Sequence, residues 1–218
     1  SWAVLLMRKS RKRITTNNMK YYAVIDTNVL VSYLLTRNRE SSVVKVMELL
    51  KEGAILPLLH AEIIKEYNEV LRRIKFDIPE QTINDLIGYM TSLGKYCDRK
   101  ETTESIPDPD DIVFYEVSLS VEDSYLITGN LKHFPKNGHV VTPAEMLQII
   151  HLSESKGNTV CEPPMEYMSE QKRQIIEKGW QAMDKIRQQA AENGTSEMTL
   201  DEINEIIREY RAERKKQI

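Results

Sequence analysis

Two hydrophobic periodicities alternate along the first two-thirds of the chain. Short apolar runs, many of them β-branched or aromatic, recur at Tyr21–Ile25, Ala54–Leu59, Ser124–Thr128 and Val140-Val141, and read as buried strands. Between them, apolar residues three and four apart predict helices. These run over Val29–Leu35, over Val43–Lys51 behind the Ser41-Ser42 cap, and over His60–Lys75, with Ile63, Ile64, Tyr67, Val70, Leu71 and Ile74 as its buried stripe. A further helix opens at Pro79 and carries Ile83, Leu86, Ile87, Met90 and Leu93. Asp108-Pro109-Asp110-Asp111 starts another, extending to near Val121, with proline near its first turn and acids at the positive end of its dipole. Thr142-Pro143-Ala144-Glu145 begins the closing helix of this region. Strand and helix in strict alternation predict an α/β fold: a parallel sheet with right-handed crossovers, flanked by helices.

After Ile150 the pattern breaks. Residues 151–168 are linker-like, with Ser153–Asn158 polar and Cys161-Glu162-Pro163-Pro164 too stiff for a regular element. A helical tail then occupies 169–218. Its first helix runs from about Ser169 to Glu192, with Ile175, Ile176, Met183 and Ile186 along one stripe and Asn193-Gly194 as its stop. Its second has Thr199 and Glu202 in capping-box spacing and a narrow seam of Leu200, Ile203, Ile206, Ile207 and Tyr210. That seam is too small to fold alone, so the tail must dock on something. The expected organisation is a basic extension over 1–18, an α/β domain over 19–150, the linker and the tail.

Charge changes the picture in one respect. The 218 residues carry a net −3, yet residues 1–20 hold six basic side chains and no acid, so subtracting six leaves −9 on the rest. The body is poor material for a constitutive nucleic-acid binder, and a cation site would explain its acidity. Cys97 and Cys161 are isolated, which suggests neither a zinc site nor a disulfide framework and points to a reducing, cytoplasmic setting. No apolar run reaches the ~20 residues that span a bilayer.

The candidate chemistry begins at Tyr21-Tyr22-Ala23-Val24-Ile25-Asp26-Thr27-Asn28, where a buried strand delivers a carboxylate at its C-terminal end. In open α/β sheets ligands bind at that edge. Asp26 could instead cap the following helix, and Glu62, Glu66 and Glu69 could form a solvated helix face. Glu66, however, lies between Ile63 and Val70 on the buried side, and capping needs only one aspartate of the Asp108–Asp111 group. Asp26, Glu66, Asp111 and Asp108, with Asn130 at the end of the third strand, give an oxygen-only donor set suited to Mg²⁺ or Mn²⁺ rather than zinc. Metal-activated water attacking a phosphodiester is the chemistry expected of it.

At these residues the sequence resembles the PIN-domain nucleases, within them the branch of toxins from toxin–antitoxin pairs. The resemblance rests on Val24–Ser32, Glu66–Phe76, Asp108–Phe114, Tyr125–Pro135 and Thr142–Glu145, and covers roughly residues 21–150 in the family's order. It implies a Rossmann-like PIN fold and Mg²⁺- or Mn²⁺-dependent endoribonuclease activity, with the family's acids on Asp26, Glu66 and Asp111. Its fourth position, often Asp, falls on Asn130, which leaves one- or two-metal chemistry open, and Ser124 stands where relatives of this branch often have Asp. Two other readings are a silent RNA- or protein-binding module and a phosphatase or phosphotransfer domain. A haloacid-type phosphatase, though, needs a second Asp where this chain has Asn28.

RNA contacts are expected at Arg72, Arg73 and Lys132, with Lys75 beside them, against the alternative of solvated surface charge. The segment Thr199–Arg214 is similar to the C-terminal segments of antitoxins that wrap PIN toxins. It implies a cognate antitoxin as partner in trans or the tail acting in cis, with Arg208, Arg211 or Arg214 reaching the acidic site, on the same chain or exchanged within a homo-oligomer. The alternative is an accessory or dimerising hairpin.

Overall fold

A computed structural model describes residues 20–154 and 169–216. The basic segment 1–18 and the linker core with Cys161 lie outside the described residues. Five strands form one all-parallel sheet: β1 (Tyr21–Ile25), β2 (Ile55–Leu59), β3 (Lys95–Tyr96), β4 (Tyr125–Ile127) and β5 (Val140–Val141), in spatial order β3-β2-β1-β4-β5. Eight α-helices flank it among the described residues: α1 (Thr27–Leu35), α2 (Ser42–Lys51), α3 (Ala61–Leu71), α4 (Glu80–Leu93), α5 (Ile112–Ser118), α6 (Pro143–Glu154), α7 (Glu170–Asn193) and α8 (Leu200–Lys215). The α/β class expected from the alternating pattern is the one observed. No helix among the described residues is long and apolar enough to cross a membrane.

β1 is covered on both faces, which is why its apolar run is nearly continuous, with Ala23, Val24 and Ile25 buried. From β1 the chain builds outward to β2 and β3, then crosses back to place β4 on the other side. The strand order therefore reverses between β1 and β4, the switch point where open sheets bind ligands. Ile25 pairs with Ile127 in register, so Asp26 and Thr128 emerge side by side.

The tail is part of the same body. α7 packs along α4 and α1 through Ile176, Ala182, Met183, Ile186 and Ala190. Gly179 allows the close approach, since a Cβ there would lie 2.2 Å from Cβ of Tyr89. Trp180 donates to the Tyr89 hydroxyl at 3.2 Å, and the Arg187 guanidinium lies 5.1 Å from the Tyr33 ring centroid.

Several expected boundaries shift. The helix expected over His60–Lys75 stops at Leu71, because Arg72 leaves helical geometry; a 3₁₀ turn and the left-handed Asp77 (φ 51°) then redirect the chain. α5 ends at Ser118 rather than near Val121, and the Ser124 hydroxyl, against the Val121 carbonyl at 2.9 Å, closes the turn before β4. The edge strand β3 was not expected, since two exposed residues carry no apolar pattern. Ile175 and Leu200, placed on the buried stripes by spacing, are 40% and 38% exposed.

Candidate active site

Asp26 stands at the N-cap of α1, but its carboxylate makes no capping bond. Instead its Oδ2 accepts from Asn28 Nδ2 at 2.8 Å and from the Thr128 hydroxyl at 2.6 Å, the second bond crossing the β1/β4 switch point. Asn28 also accepts from the Gly129 amide at 3.0 Å, tying the ends of the two strands together. Burial pushes the Asp26 carboxyl up to about 6, and the Asp111 charge adds to that rise.

Glu66 reaches the same place from α3, whose apolar stripe turns it inward; it is 2% exposed. The Thr27 hydroxyl donates to its Oε1 at 2.7 Å, and the Tyr67 hydroxyl holds α3 against β1 through the Ile25 carbonyl. Burial raises the Glu66 carboxyl above its usual range, opposed by Arg211 and by the Thr27 hydroxyl.

The aspartates before α5 divide their work. Asp108 caps the 3₁₀ turn Pro109–Asp111 that leads into α5, its Oδ1 accepting from the Asp110 amide at 3.1 Å. Asp111 is buried and faces the site, with Oδ2 against His133 Nδ1 at 2.8 Å. Its carboxyl is raised by burial, with Arg211 opposing.

Arg211 of α8 occupies the space among these acids. Its Nη2 and Nε donate to Oε1 and Oε2 of Glu66 at 2.9 and 3.2 Å, while Nη1 reaches Oδ1 of Asp111 at 2.7 Å and Oδ2 of Asp108 at 3.2 Å. Burial disfavours its charge, but Glu66 and Asp111 outweigh that, so the guanidinium is held firmly protonated. Arg214 and Lys215 pair with Asp110 at 2.6 and 2.7 Å. Arg208, the third expected cation, pairs with Glu205 of its own helix at 2.6 Å. Beside Arg211 a cavity of about 170 Å³ remains, lined by Asp26, Asp111, Asn130 and His133 from the sheet side and by Asp201 and Arg208 from α8.

With Arg211 in place, no group of three or more acidic, histidine or cysteine side chains among the described residues is arranged to hold a metal. The donor chemistry nevertheless fits a hard divalent cation. All its donors are oxygens, and a cationic guanidinium already stands where positive charge offsets the buried carboxylates.

The residues expected to contact RNA separate. The Arg72 guanidinium is taken up by Glu80, Asn84 and Asn68, within the protein surface. Arg73 and Lys75 pair with Glu213 and Glu209 of α8, and Lys132 is exposed near Asn130. Pattern reasoning missed Thr27, Asn28, Thr128, His133 and Asp110. The first two adjoin Asp26, and Thr128 ends an apolar run as Asp26 does, so position offered a signal for them. His133 gave none.

Compared with known proteins, the family model described as PIN domain matches residues 22–132, a span that includes Asp26, Glu66, Asp111 and Asn130. No curated protein and no solved structure matches the chain.

Proposed function

The chain belongs to the PIN-domain family, whose members are generally nucleases that typically bind divalent metals, and we propose that it is a Mg²⁺- or Mn²⁺-dependent endoribonuclease kept closed by its own tail. The observation that carries this reading is the convergence of Glu66 and Asp111 on a single guanidinium at the sheet's switch point, with Asp26 beside them within reach of its charge. Buried carboxylates so close repel one another and need a cation to stay ionised together.

Asp26, Glu66 and Asp111 would hold the metal, with Asn130 and Asp108 at its margin. When bound, the metal supplies an activated water and a Lewis acid for the phosphodiester. Thr27 and the Asn28–Thr128 pair fix the oxygens of Glu66 and Asp26, so the donors are oriented before any cation arrives. His133 orients Asp111 through Oδ2 and leaves Oδ1 facing inward. Because Asn130 brings a neutral carbonyl, a second cation is held more weakly than a fourth carboxylate would hold it.

Within this reading the chain is a toxin-type PIN nuclease with an antitoxin-like helix in cis. Arg211 takes the metal's position, and displacing α8 opens the cleft to single-stranded RNA. The test is cleavage of a labelled single-stranded RNA by the full chain with Mn²⁺ and with EDTA. Expected are metal-dependent products, their loss in Asp26→Asn, and faster cleavage in Arg211→Ala. Equal rates for wild type and Asp26→Asn would overturn the assignment.

A further inference from the structure

The tail's two helices are held by different forces. α7 is anchored by apolar contacts, with Ile176, Met183 and Ile186 buried and Gly179 pressed against Tyr89. α8 buries Ile203, Ile206, Ile207 and Tyr210, but much of its grip is ionic and runs in both signs. Its bases take the acids of the site. Its acids take the two cations beside it: Glu213 forks onto Arg73 at 2.6 and 2.9 Å, and Glu209 meets Lys75 Nζ at 2.8 Å.

Glu209 and Glu213 are four residues apart, so their carboxylates lie on one edge of α8 with Cβ atoms ~5–6 Å apart. Successive anions at that spacing, beside a nuclease centre and each on its own cation, are where a polynucleotide would place consecutive phosphates. The two helices join at the left-handed Gly194 (φ 82°) and a 3₁₀ turn over Thr195–Glu197, so α7 and α8 are separate helices rather than one rigid rod.

We propose that Arg73 and Lys75 form the phosphate-binding edge of the RNA cleft, and that Glu209 and Glu213 occupy it as phosphate mimics, so that a single-stranded polyanion competes α8 off while α7 remains in place. This deepens, and rests on, the reading of the cleft as an RNA site. Arg73 and Lys75 are binding residues here, distinct from Arg72, whose guanidinium is engaged by Glu80 and Asn84.

The experiment uses the full chain in EDTA and a fluorescein-labelled, 2′-O-methylated 12-nucleotide RNA, which is not cleaved. Glu209→Gln/Glu213→Gln should bind it several-fold more tightly than wild type. Arg73→Glu/Lys75→Glu should bind it at least tenfold more weakly, with a salt dependence shallower by about one per cation lost. The second outcome is discriminating, because placing acids opposite Glu209 and Glu213 also weakens the docking of α8; if α8 were merely a steric cover, that variant would bind RNA better. Hydrogen exchange should show α8 amides deprotected by the oligonucleotide and α7 amides unchanged. Arg73→Glu/Lys75→Glu binding as tightly as wild type, or α8 staying protected under saturating RNA, would overturn the proposal. Since no cleavage is measured, loss of the nuclease reading in the Asp26→Asn assay would register separately.

Discussion

Arg211 and Glu66, 145 residues apart in the chain, face each other in a two-bond fork, and their side chains are 6% and 3% exposed. A buried fork of this kind gains Coulomb energy only by giving up hydration on both sides, so either partner alone is a liability.

Arg211→Ala should therefore destabilise the metal-free chain by ~3–5 kcal/mol, the usual effect of breaking a buried ion pair. Mn²⁺ should restore the loss, because the carboxylates then regain a cation. Thermal unfolding over a Mn²⁺ titration checks this: the variant's Tm should climb more steeply with metal than that of wild type.

Asp26→Asn should stabilise the fold in EDTA, and only above mildly acidic pH. The folded-state carboxyl sits near 6 against an ordinary 3.8, so the protonated form is the one the fold favours. That contribution is complete below about pH 4 and is lost as pH rises through 6. At ~1.4 kcal/mol per pKa unit, the neutral variant should exceed wild type by about 2–3 kcal/mol near pH 7.5 and match it near pH 4. The Asn oxygen can still accept from Asn28 and Thr128, so the local bonds survive. Urea unfolding at the two pH values provides the comparison.

Gly179→Ala replaces the weakest ordinary helix former with the strongest, and still should destabilise. The new methyl would meet Tyr89 at 2.2 Å and must push α7 away from α4. Overpacking costs about 1–3 kcal/mol, against ~1 kcal/mol gained in propensity. A lower urea midpoint, with the Trp180 fluorescence change moving in step, is the expected result.

Thr199→Ala removes the capping box of α8, in which Thr199 and Glu202 bond reciprocally at 2.7–3.3 Å. The expected cost is ~1 kcal/mol, confined to that helix. Amides in the first turns of α8 should exchange several-fold faster, while those of α7, capped separately by Ser169, keep their protection.

Local sequence signals carry the α/β class, the alternation of its elements apart from the edge strand β3, and the candidate acids Asp26, Glu66 and Asp111. Each of those rests on a local signal: a run that must be buried on both faces, a stop such as Asn193-Gly194 after α7, a carboxylate placed where an apolar run ends. Glu66 was legible because the stripe of Ile63, Tyr67 and Val70 turns it inward. The capping box of α8 was legible for the same reason, since its bonds are three residues long.

Tertiary structure alone decided which aspartate caps and which faces inward, because Asp108 and Asp111 have equal local claims and only the position of α3 and His133 separates them. It also decided that Arg211, among three equally spaced arginines, enters the site. Arg208, at the edge of the cavity, pairs with Glu205 of its own helix, and Arg214 pairs with Asp110. That choice depends on the rotation of α8, which is set by Ile203, Ile207 and Tyr210 packing on a surface distant in sequence, and no periodicity encodes where such a surface lies.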